Sequence, residues 1–186
     1  MKIAYIDNKD SFADLLAGTL RLQGNSIDMY KDAIPENLEA YDYVLLGPGP
    51  NGPEDVPLYH EVLEKYKELH NPSCGLRGIC LGMQTIAHSF GIPVQKVSLK
   101  HGKVADVKPK PCDLYKDLPK SIPLARYNSL GVLVHDMSPE FEVTGVEDDI
   151  VMSLRHKHKN IEAVQYHPES VLSGDYGKTI LRRLFS

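Results

Sequence analysis

The sequence predicts a single α/β domain with a mostly parallel central sheet flanked by helices and antiparallel additions in the C-terminal half. Two patterns in the chain carry this prediction. In the first half, short runs rich in apolar and β-branched residues alternate with amphipathic helical patterns. In the second half, strand-like runs follow one another and are separated by Gly, Pro, Asp and Asn. Strands that alternate with helices form parallel sheets that are covered on both faces.

The first half of the chain contains the predicted parallel strands and the helices that connect them. A glycine that follows a helical pattern marks a helix end, as at Gly24 and Gly91. The predicted strands are Lys2 to Ile6, Ser26 to Tyr30, Tyr43 to Leu46 and Leu76 to Ile79. The predicted helices are Ser11 to Leu22, Pro57 to His70 and Leu81 to Phe90.

The second half contains five predicted strands and a final helix. The turn residues between the strands favour antiparallel additions to the sheet. No repeat or linker divides the chain, so residues 1–186 are predicted to form one domain, with its ligand site beyond the carboxyl ends of the parallel strands. The predicted elements are strands Val94 to Val107, Leu124 to Val134, Phe141 to Val146, Ile150 to Arg155 and Ile161 to Tyr166, and a helix from Asp175 to Phe185.

The composition argues against several classes of protein. With 42% apolar and 25% charged residues and a net charge of -4, the chain gives no indication of a nucleic-acid or anionic-membrane partner. No apolar run approaches the ~20 residues that a bilayer span needs. The first acidic residue, Asp7, comes too early for a secretory signal. The three cysteines lack the spacing of a metal site, and their odd number favours a reducing cytoplasm over a disulfide scaffold.

Cys80 is the candidate nucleophile. The segment Gly78 to Gly82 reads G-x-C-x-G at a predicted strand-to-helix junction, which is the nucleophile-elbow pattern with a thiol in place of the hydroxyl. The two glycines permit a sharp turn, and the N-terminus of the following helix stabilises a thiolate. The backbone N–H of Leu81 is well placed to donate to an oxyanion. A buried apolar cysteine is the alternative, and the segment by itself also fits a hydrolase or a protease.

His167 is the candidate base, because a thiolate mechanism needs an imidazole to move a proton and a group to orient that imidazole. His167 and Glu169 are two residues apart and therefore point to the same side of an extended chain. Pro168 stiffens the link between them. A lone histidine at a strand end is more often structural, but one followed by Pro-Glu and accompanied by a strong cysteine candidate favours catalysis.

The loop from Gly47 to Gly52 formally matches the dinucleotide-binding pattern G-x-G-x-x-G. Pro48 and Pro50 remove backbone donors that a pyrophosphate requires, and the loop follows the third predicted strand instead of the first. A rigid loop that presents the Gly49 N–H to an oxyanion is the better interpretation.

Taken together, these segments resemble the class I, or triad, glutamine amidotransferases. Within that family they are most similar to the glutaminase components of anthranilate synthase and aminodeoxychorismate synthase. The N-terminal motif from Asp7 to Phe12 is the part that indicates the chorismate-using branch. The other matching segments are Gly47 to Pro50, Pro53 to Asp55, Gly78 to Gln84, His101 to Lys103, Arg126 to Leu130 and His167 to Ser170.

The resemblance implies a catalytic triad of Cys80, His167 and Glu169 that hydrolyses glutamine through a γ-glutamyl thioester, with no cofactor and no metal. It implies that Gly49 and Leu81 supply the oxyanion hole. The residues expected to bind glutamine or its oxyanion are Gly49, Pro50, Asn51, Leu81, Gln84, Ser129 and Leu130.

The resemblance also implies a separate, chorismate-using synthase subunit that consumes the ammonia. Anthranilate synthase of tryptophan biosynthesis is the first expectation, and aminodeoxychorismate synthase of folate biosynthesis is the alternative. Two other classes stay open, a Cys-dependent hydrolase or protease on a related fold and a non-catalytic regulatory protein. Asp and Ser near the N-terminus have an ordinary alternative role as helix caps. The candidate partner contacts are Asp7, Asp10, Ser11, His101 and Lys103.

Four positions depart from the family pattern without touching the triad. Asn51 stands where relatives usually have Gly, and Met83 and Asn128 stand where they usually have His. Asn128 and Met83 are expected to affect glutamine affinity or coupling to the partner. Arg77 occupies a usually apolar position on a predicted core strand. It requires a carboxylate partner or an exit to solvent, and the sequence identifies neither.

Overall fold

A computed structural model describes residues 1–69 and 72–186 and confirms the predicted α/β class. Within these residues, no helix has the length and apolar character needed to cross a membrane. The strands are β1 (Lys2–Ile6), β2 (Ser26–Tyr30), β3 (Tyr43–Leu46), β4 (Gly75–Ile79), β5 (Gln95–Pro109), β6 (Ile122–Gly131), β7 (Phe141–Glu147), β8 (Ile150–His156) and β9 (Ile161–Val164). The helices are α1 (Ala13–Leu22), α2 (Pro57–Glu68), α3 (Leu81–Ser89) and α4 (Gly174–Leu184).

All of these strands belong to one mixed sheet in the order β2-β1-β3-β4-β9-β8-β7-β5-β6. The pairs from β2 to β9 are parallel, and the pairs from β9 to β6 are antiparallel. The sequence analysis grouped β9 with the antiparallel additions. That assignment is wrong on one side, because β9 pairs in parallel with β4 and only its pairing with β8 is antiparallel. The carboxyl ends of β4 and β9 therefore lie side by side.

The two faces of the sheet are covered by different helices. Alternate residues of β1 point to opposite faces, so Ile3 and Tyr5 pack with α1 and α4, whereas Ala4 and Ile6 pack with α2 and α3. Burial of each large apolar side chain contributes about 1.5–3 kcal/mol to folding. The two layers fix the carboxyl edge of the parallel strands, where the chain turns from β4 into α3.

Several element boundaries differ from those predicted. Helix α1 begins at Ala13 and not at Ser11, because the Asp10 carboxylate accepts the Phe12 N–H at 2.8 Å and makes a local turn ahead of the helix. Strand β6 ends at Gly131, and the predicted continuation to Val134 leads into a short 3-10 turn. The predicted end of α2 at His70 lies outside the described residues.

The buried side chain of Arg77 has hydrogen-bond acceptors that the sequence did not indicate. Its side chain is buried, with 5% of the residue exposed, and it lies 4.5 Å from the centre of the Tyr43 ring. The guanidinium donates to the carbonyls of Leu76 at 3.1 Å and Asn160 at 3.2 Å, and also to the carbonyl of Leu184. Leu184 ends α4, where the helix dipole is negative. Main-chain carbonyls accept these hydrogen bonds, and the carboxylate of Glu162, which pairs with Arg77 in the β4–β9 register, supplies the neighbouring negative charge.

We expect Arg77→Met to lower the free energy of unfolding by about 2–4 kcal/mol, because it leaves buried carbonyls without their donor. Arg155→Met is the matched control, since Arg155 forms a half-exposed ion pair with Glu142 at 2.7 Å. Loss of that pair is expected to cost less than about 1 kcal/mol. Urea denaturation of the three proteins measures both effects. Equal losses in the two variants would contradict the assigned role of Arg77.

Candidate active site

The chain makes a strained turn at Cys80, between β4 and α3. Cys80 has φ 54° and ψ -106°, a backbone conformation that costs a non-glycine residue on the order of 1–3 kcal/mol. The turn is held by two main-chain hydrogen bonds, from the Cys80 N–H to the Val164 carbonyl at 2.8 Å and from the Gly82 N–H to the Gly47 carbonyl at 3.1 Å. Strain that is held in place at a buried thiol is typical of a functional site.

The glycines on either side of Cys80 are required by close backbone approach. A Cβ atom on Gly82 would lie 2.0 Å from the Leu46 carbonyl oxygen. A Cβ atom on Gly78 would lie 2.8 Å from the main chain of Gly82 and Met83. Neither contact can be relieved by moving a flexible side chain. The G-x-C-x-G pattern is therefore a packing requirement of this turn.

His167 and Glu169 form a buried pair after β9. The distance between His167 Nδ1 and Glu169 Oε1 is 2.7 Å. The His167 main chain is fixed on both sides, since its N–H donates to the Ala125 carbonyl at 2.9 Å and its carbonyl accepts the Ser173 hydroxyl at 2.7 Å. Among the described residues, the buried Nε2 atom of His167 has no hydrogen-bond partner. With Nδ1 engaged by Glu169, Nε2 is the ring nitrogen left for proton transfer.

The charges around His167 favour its protonated form. Burial by itself disfavours the imidazolium, but the negative charges of the Cys80 thiolate and the Glu169 carboxylate outweigh burial and raise the pKa of His167 well above its ordinary value. The rings of Phe12 and Tyr127 pack against the imidazole, with centroids at 5.2 and 4.9 Å. The arrangement therefore supports a thiolate–imidazolium pair in a site that is largely shielded from water.

A cavity of about 200 Å³ opens over Cys80. All seven residues that the sequence analysis expected to contact glutamine or its oxyanion line this cavity. Tyr127 and Asn128 line it too, although neither was among the predicted site residues. The lining residues are Gly49, Pro50, Asn51, Cys80, Leu81, Gln84, Tyr127, Asn128, Ser129 and Leu130.

Two features of the cavity refine the sequence expectations. Asn51 has φ 75°, a conformation that favours Gly and that Asn tolerates better than most residues, so the departure from the family pattern is compatible with the loop. Gln84 donates its amide N–H groups to the Leu130 carbonyl at 2.8 Å and to Gln165 Oε1 at 3.0 Å. The amide oxygen of Gln84 is therefore the atom that remains for a ligand. Gln165 was not predicted, and its neutral side chain inside a strand-like segment gave no signal.

The five candidate partner contacts fall into two groups. Asp7 is buried, with 1% exposed, and its carboxylate accepts the Asp10 N–H at 3.1 Å and lies 3.5 Å from Lys31 Nζ. Asp7 therefore offers little surface to another protein, and Asp10 is half-buried in the same turn. The exposed candidates are Ser11, His101 and Lys103.

Comparison with known proteins identifies the family of the chain. The glutamine amidotransferase class-I family profile matches residues 4–186. Anthranilate synthase component 2 of Vibrio parahaemolyticus is 33% identical over 96% of this chain and 92% of its own length. A multifunctional tryptophan biosynthesis protein of Phanerodontia chrysosporium is 34% identical over 97% of this chain, which spans 23% of that longer protein.

Among solved structures, a Thermoplasma acidophilum protein described as a GMP synthase subunit matches with a TM-score of 0.86 and 25% identity. That match covers 100% of this chain and 92% of the other. A family match over nearly the full length, together with full-length relatives above 30% identity, shows that the chain belongs to the glutamine amidotransferase class-I family.

Proposed function

We propose that this protein hydrolyses L-glutamine through Cys80, His167 and Glu169 and delivers the ammonia to a chorismate-using anthranilate synthase subunit. The observation that carries the proposal is the 2.7 Å contact between His167 and Glu169 at the sheet edge that also bears the strained Cys80. Membership of the class I family supplies the reaction type. The small cavity over Cys80 suits a single amino acid better than a polypeptide, which argues against a protease.

The proposed reaction begins with the thiolate of Cys80, which attacks the side-chain amide carbon of glutamine. The oxyanion that forms accepts hydrogen bonds from the backbone N–H groups of Leu81 and Gly49. Removal of one such donor typically costs ~10²–10³ in rate. The protonated His167 gives its proton to the leaving nitrogen, the C–N bond breaks, and ammonia departs from a γ-glutamyl thioester. His167 then takes a proton from water, which attacks the thioester and releases glutamate and the thiolate.

Glu169 orients the imidazole in this scheme. Its contact with Nδ1 directs Nε2 of His167 away from the carboxylate, and its charge stabilises the imidazolium that forms during the reaction. Phe12 and Tyr127 hold the ring from the sides. The carboxylate thus has an orienting and electrostatic role and does not itself take up the proton.

The identity of the partner is inferred from the relatives. Full-length matches above 30% identity are named anthranilate synthase component 2, whereas the structural neighbour described as a GMP synthase subunit is 25% identical. The Phanerodontia protein carries the matching segment as 23% of a longer tryptophan biosynthesis chain, which supports action beside other catalytic domains. Aminodeoxychorismate synthase stays the alternative that the N-terminal motif allows.

We expect Cys80→Ala to abolish ammonia and glutamate release from glutamine while the synthase partner still makes product from added ammonium. Cys112→Ala is the matched control, because Cys112 is partly buried beside a different cavity and is expected to leave turnover within about twofold. Coupled assays for glutamate and for anthranilate measure the two half-reactions. Glutamine-dependent turnover by Cys80→Ala would contradict the proposed nucleophile, and a wild-type complex without glutaminase activity would contradict the proposed function.

We expect the imidazole of His167 to titrate well above the ordinary histidine pKa of about 6.5. Because the folded-state pKa is raised, its contribution to stability is complete below about pH 6.5 and is lost as the pH rises through the folded-state pKa. NMR titration of the His167 ring protons measures that pKa directly. Both Cys80→Ala and Glu169→Gln should lower it, since each removes a negative charge. An unchanged His167 pKa in Cys80→Ala would disprove the pair.

We expect Lys103→Glu to weaken the complex with the synthase subunit by about tenfold, because it reverses an exposed charge two residues from His101, which packs on the cavity residue Tyr127. The control is Lys157→Glu, an exposed residue before β9 and thus at the other end of the parallel strands from Cys80. Titration of labelled protein with the partner gives both dissociation constants. Equal affinity in the two variants would exclude Lys103 from the interface.

A further inference from the structure

A fully buried arginine connects three strands beside the glutamine cavity. Arg126 on β6 has 0% of its surface exposed. Its Nε donates to Asn128 Oδ1 at 2.9 Å, its Nη2 donates to the Ser98 carbonyl at 3.1 Å, and its Nη1 pairs with Glu147 on β7. Glu147 also pairs with Lys100 on β5. Burial raises the pKa of Glu147, but the two cations outweigh burial and lower it, so Glu147 stays charged at neutral pH.

Arg126 holds a bulge of β5 that lies opposite Ser129. Lys96 pairs with Leu130 and Lys100 pairs with Asn128, so the three residues 97–99 of β5 face the single residue Ser129 of β6. Within these two described strands, Ser129 therefore has no paired residue. The bulge is fixed by the hydrogen bond from Arg126 to the Ser98 carbonyl. Ser129, opposite the bulge, lines the cavity.

The main chain of Leu130, the next residue, is held by side-chain donors. The carbonyl oxygen of Leu130 accepts two hydrogen bonds, from Gln84 Nε2 at 2.8 Å and from Asn128 Nδ2 at 2.7 Å. Two donors occupy both lone pairs of that oxygen, so it has no remaining capacity for a ligand. Asn128 thus connects the Leu130 carbonyl to the buried Arg126: its Nδ2 donates to the carbonyl, and its Oδ1 accepts from the arginine.

We infer that Arg126 and Asn128 are positioning residues, which set the place of the Ser129–Leu130 backbone against bound glutamine. The inference rests on the proposed glutaminase function and deepens it, because it assigns a task to Asn128, where relatives usually have His. Lys100 and Glu147 neutralise and anchor the arginine, while Asn128 transmits its position to the cavity wall. A purely structural network would affect stability, whereas a positioning network affects the binding of glutamine.

Asn128→Asp tests the inference with an isosteric change. The aspartate keeps the acceptor for Arg126, where it forms a second ion pair, but replaces the N–H donor that faces the Leu130 carbonyl with an oxygen. We expect KM for glutamine to rise about tenfold or more, with kcat within about threefold, while the melting temperature shows that the variant is still folded at the assay temperature. Asn128→His retains one ring N–H donor and one ring nitrogen acceptor, so its KM is expected to stay within about threefold of the wild type.

Glu142→Gln is the matched control, since Glu142 lies on β7 like Glu147 but pairs with Arg155 at 2.7 Å in a half-exposed position. Its KM should equal that of the wild type. An active wild type whose KM is unchanged in Asn128→Asp would overturn the inference. The inference would also be overturned if KM rose to a similar extent in the control Glu142→Gln. It would equally be overturned if Asn128→His raised KM as much as Asn128→Asp does. An inactive wild-type complex would instead contradict the proposed function, so the two failures are distinguishable.

Discussion

The candidate site depends on the parallel pairing of β4 with β9. The two strands are far apart in the sequence, but their register ends with Ile79 beside Val164, and the Cys80 N–H donates to the Val164 carbonyl at 2.8 Å. In a parallel pair both carboxyl ends lie at one edge of the sheet, so the thiol after β4 and the imidazole after β9 come to the same place. Reversal of β9 would send His167 to the other end of the sheet.

The carboxyl edge of β4 and β9 carries a strained backbone at Cys80 and a buried pair of ionisable groups, His167 and Glu169. Cys80 keeps a positive φ because hydrogen bonds to Val164 and Gly47 hold the turn on both sides. His167 and Glu169 have almost no contact with water, and their attraction is stronger in that environment than at the surface. The raised pKa of His167 depends on both of its neighbours, Cys80 and Glu169. Side-chain position at this site therefore follows from the packing of the sheet and is not a local property of the loop.

Much of this arrangement was predictable from sequence, because local patterns carry it. The parallel half was predicted from strand runs and helical periodicity, and the turn at Cys80 from its flanking glycines. The His-Pro-Glu segment predicted the imidazole and the carboxylate that orients it. The orientation of β9 was not predictable, since turn residues report only the nearest connection. The environment of Arg77 was equally hidden, because its carbonyl acceptors and its neighbouring carboxylate, Glu162, come from separate segments of the chain. Asn128 could be marked as unusual, but its two hydrogen bonds depend on tertiary contacts that no local pattern encodes.

The two walls of the cavity are held in place by different parts of the fold. One wall, with Gly49, Cys80 and Leu81, belongs to the parallel half, which is packed by helices on both faces. The other wall is β6, the last strand of the sheet, which is tied to the remainder by the long β5 and by the buried Arg126. The exposed stretch of β5 around His101 and Lys103 belongs to this second wall, and His101 packs on Tyr127 with ring centroids 5.5 Å apart. The position of this second wall therefore depends on β5 and Arg126, whereas the position of Cys80 depends on the parallel half of the sheet.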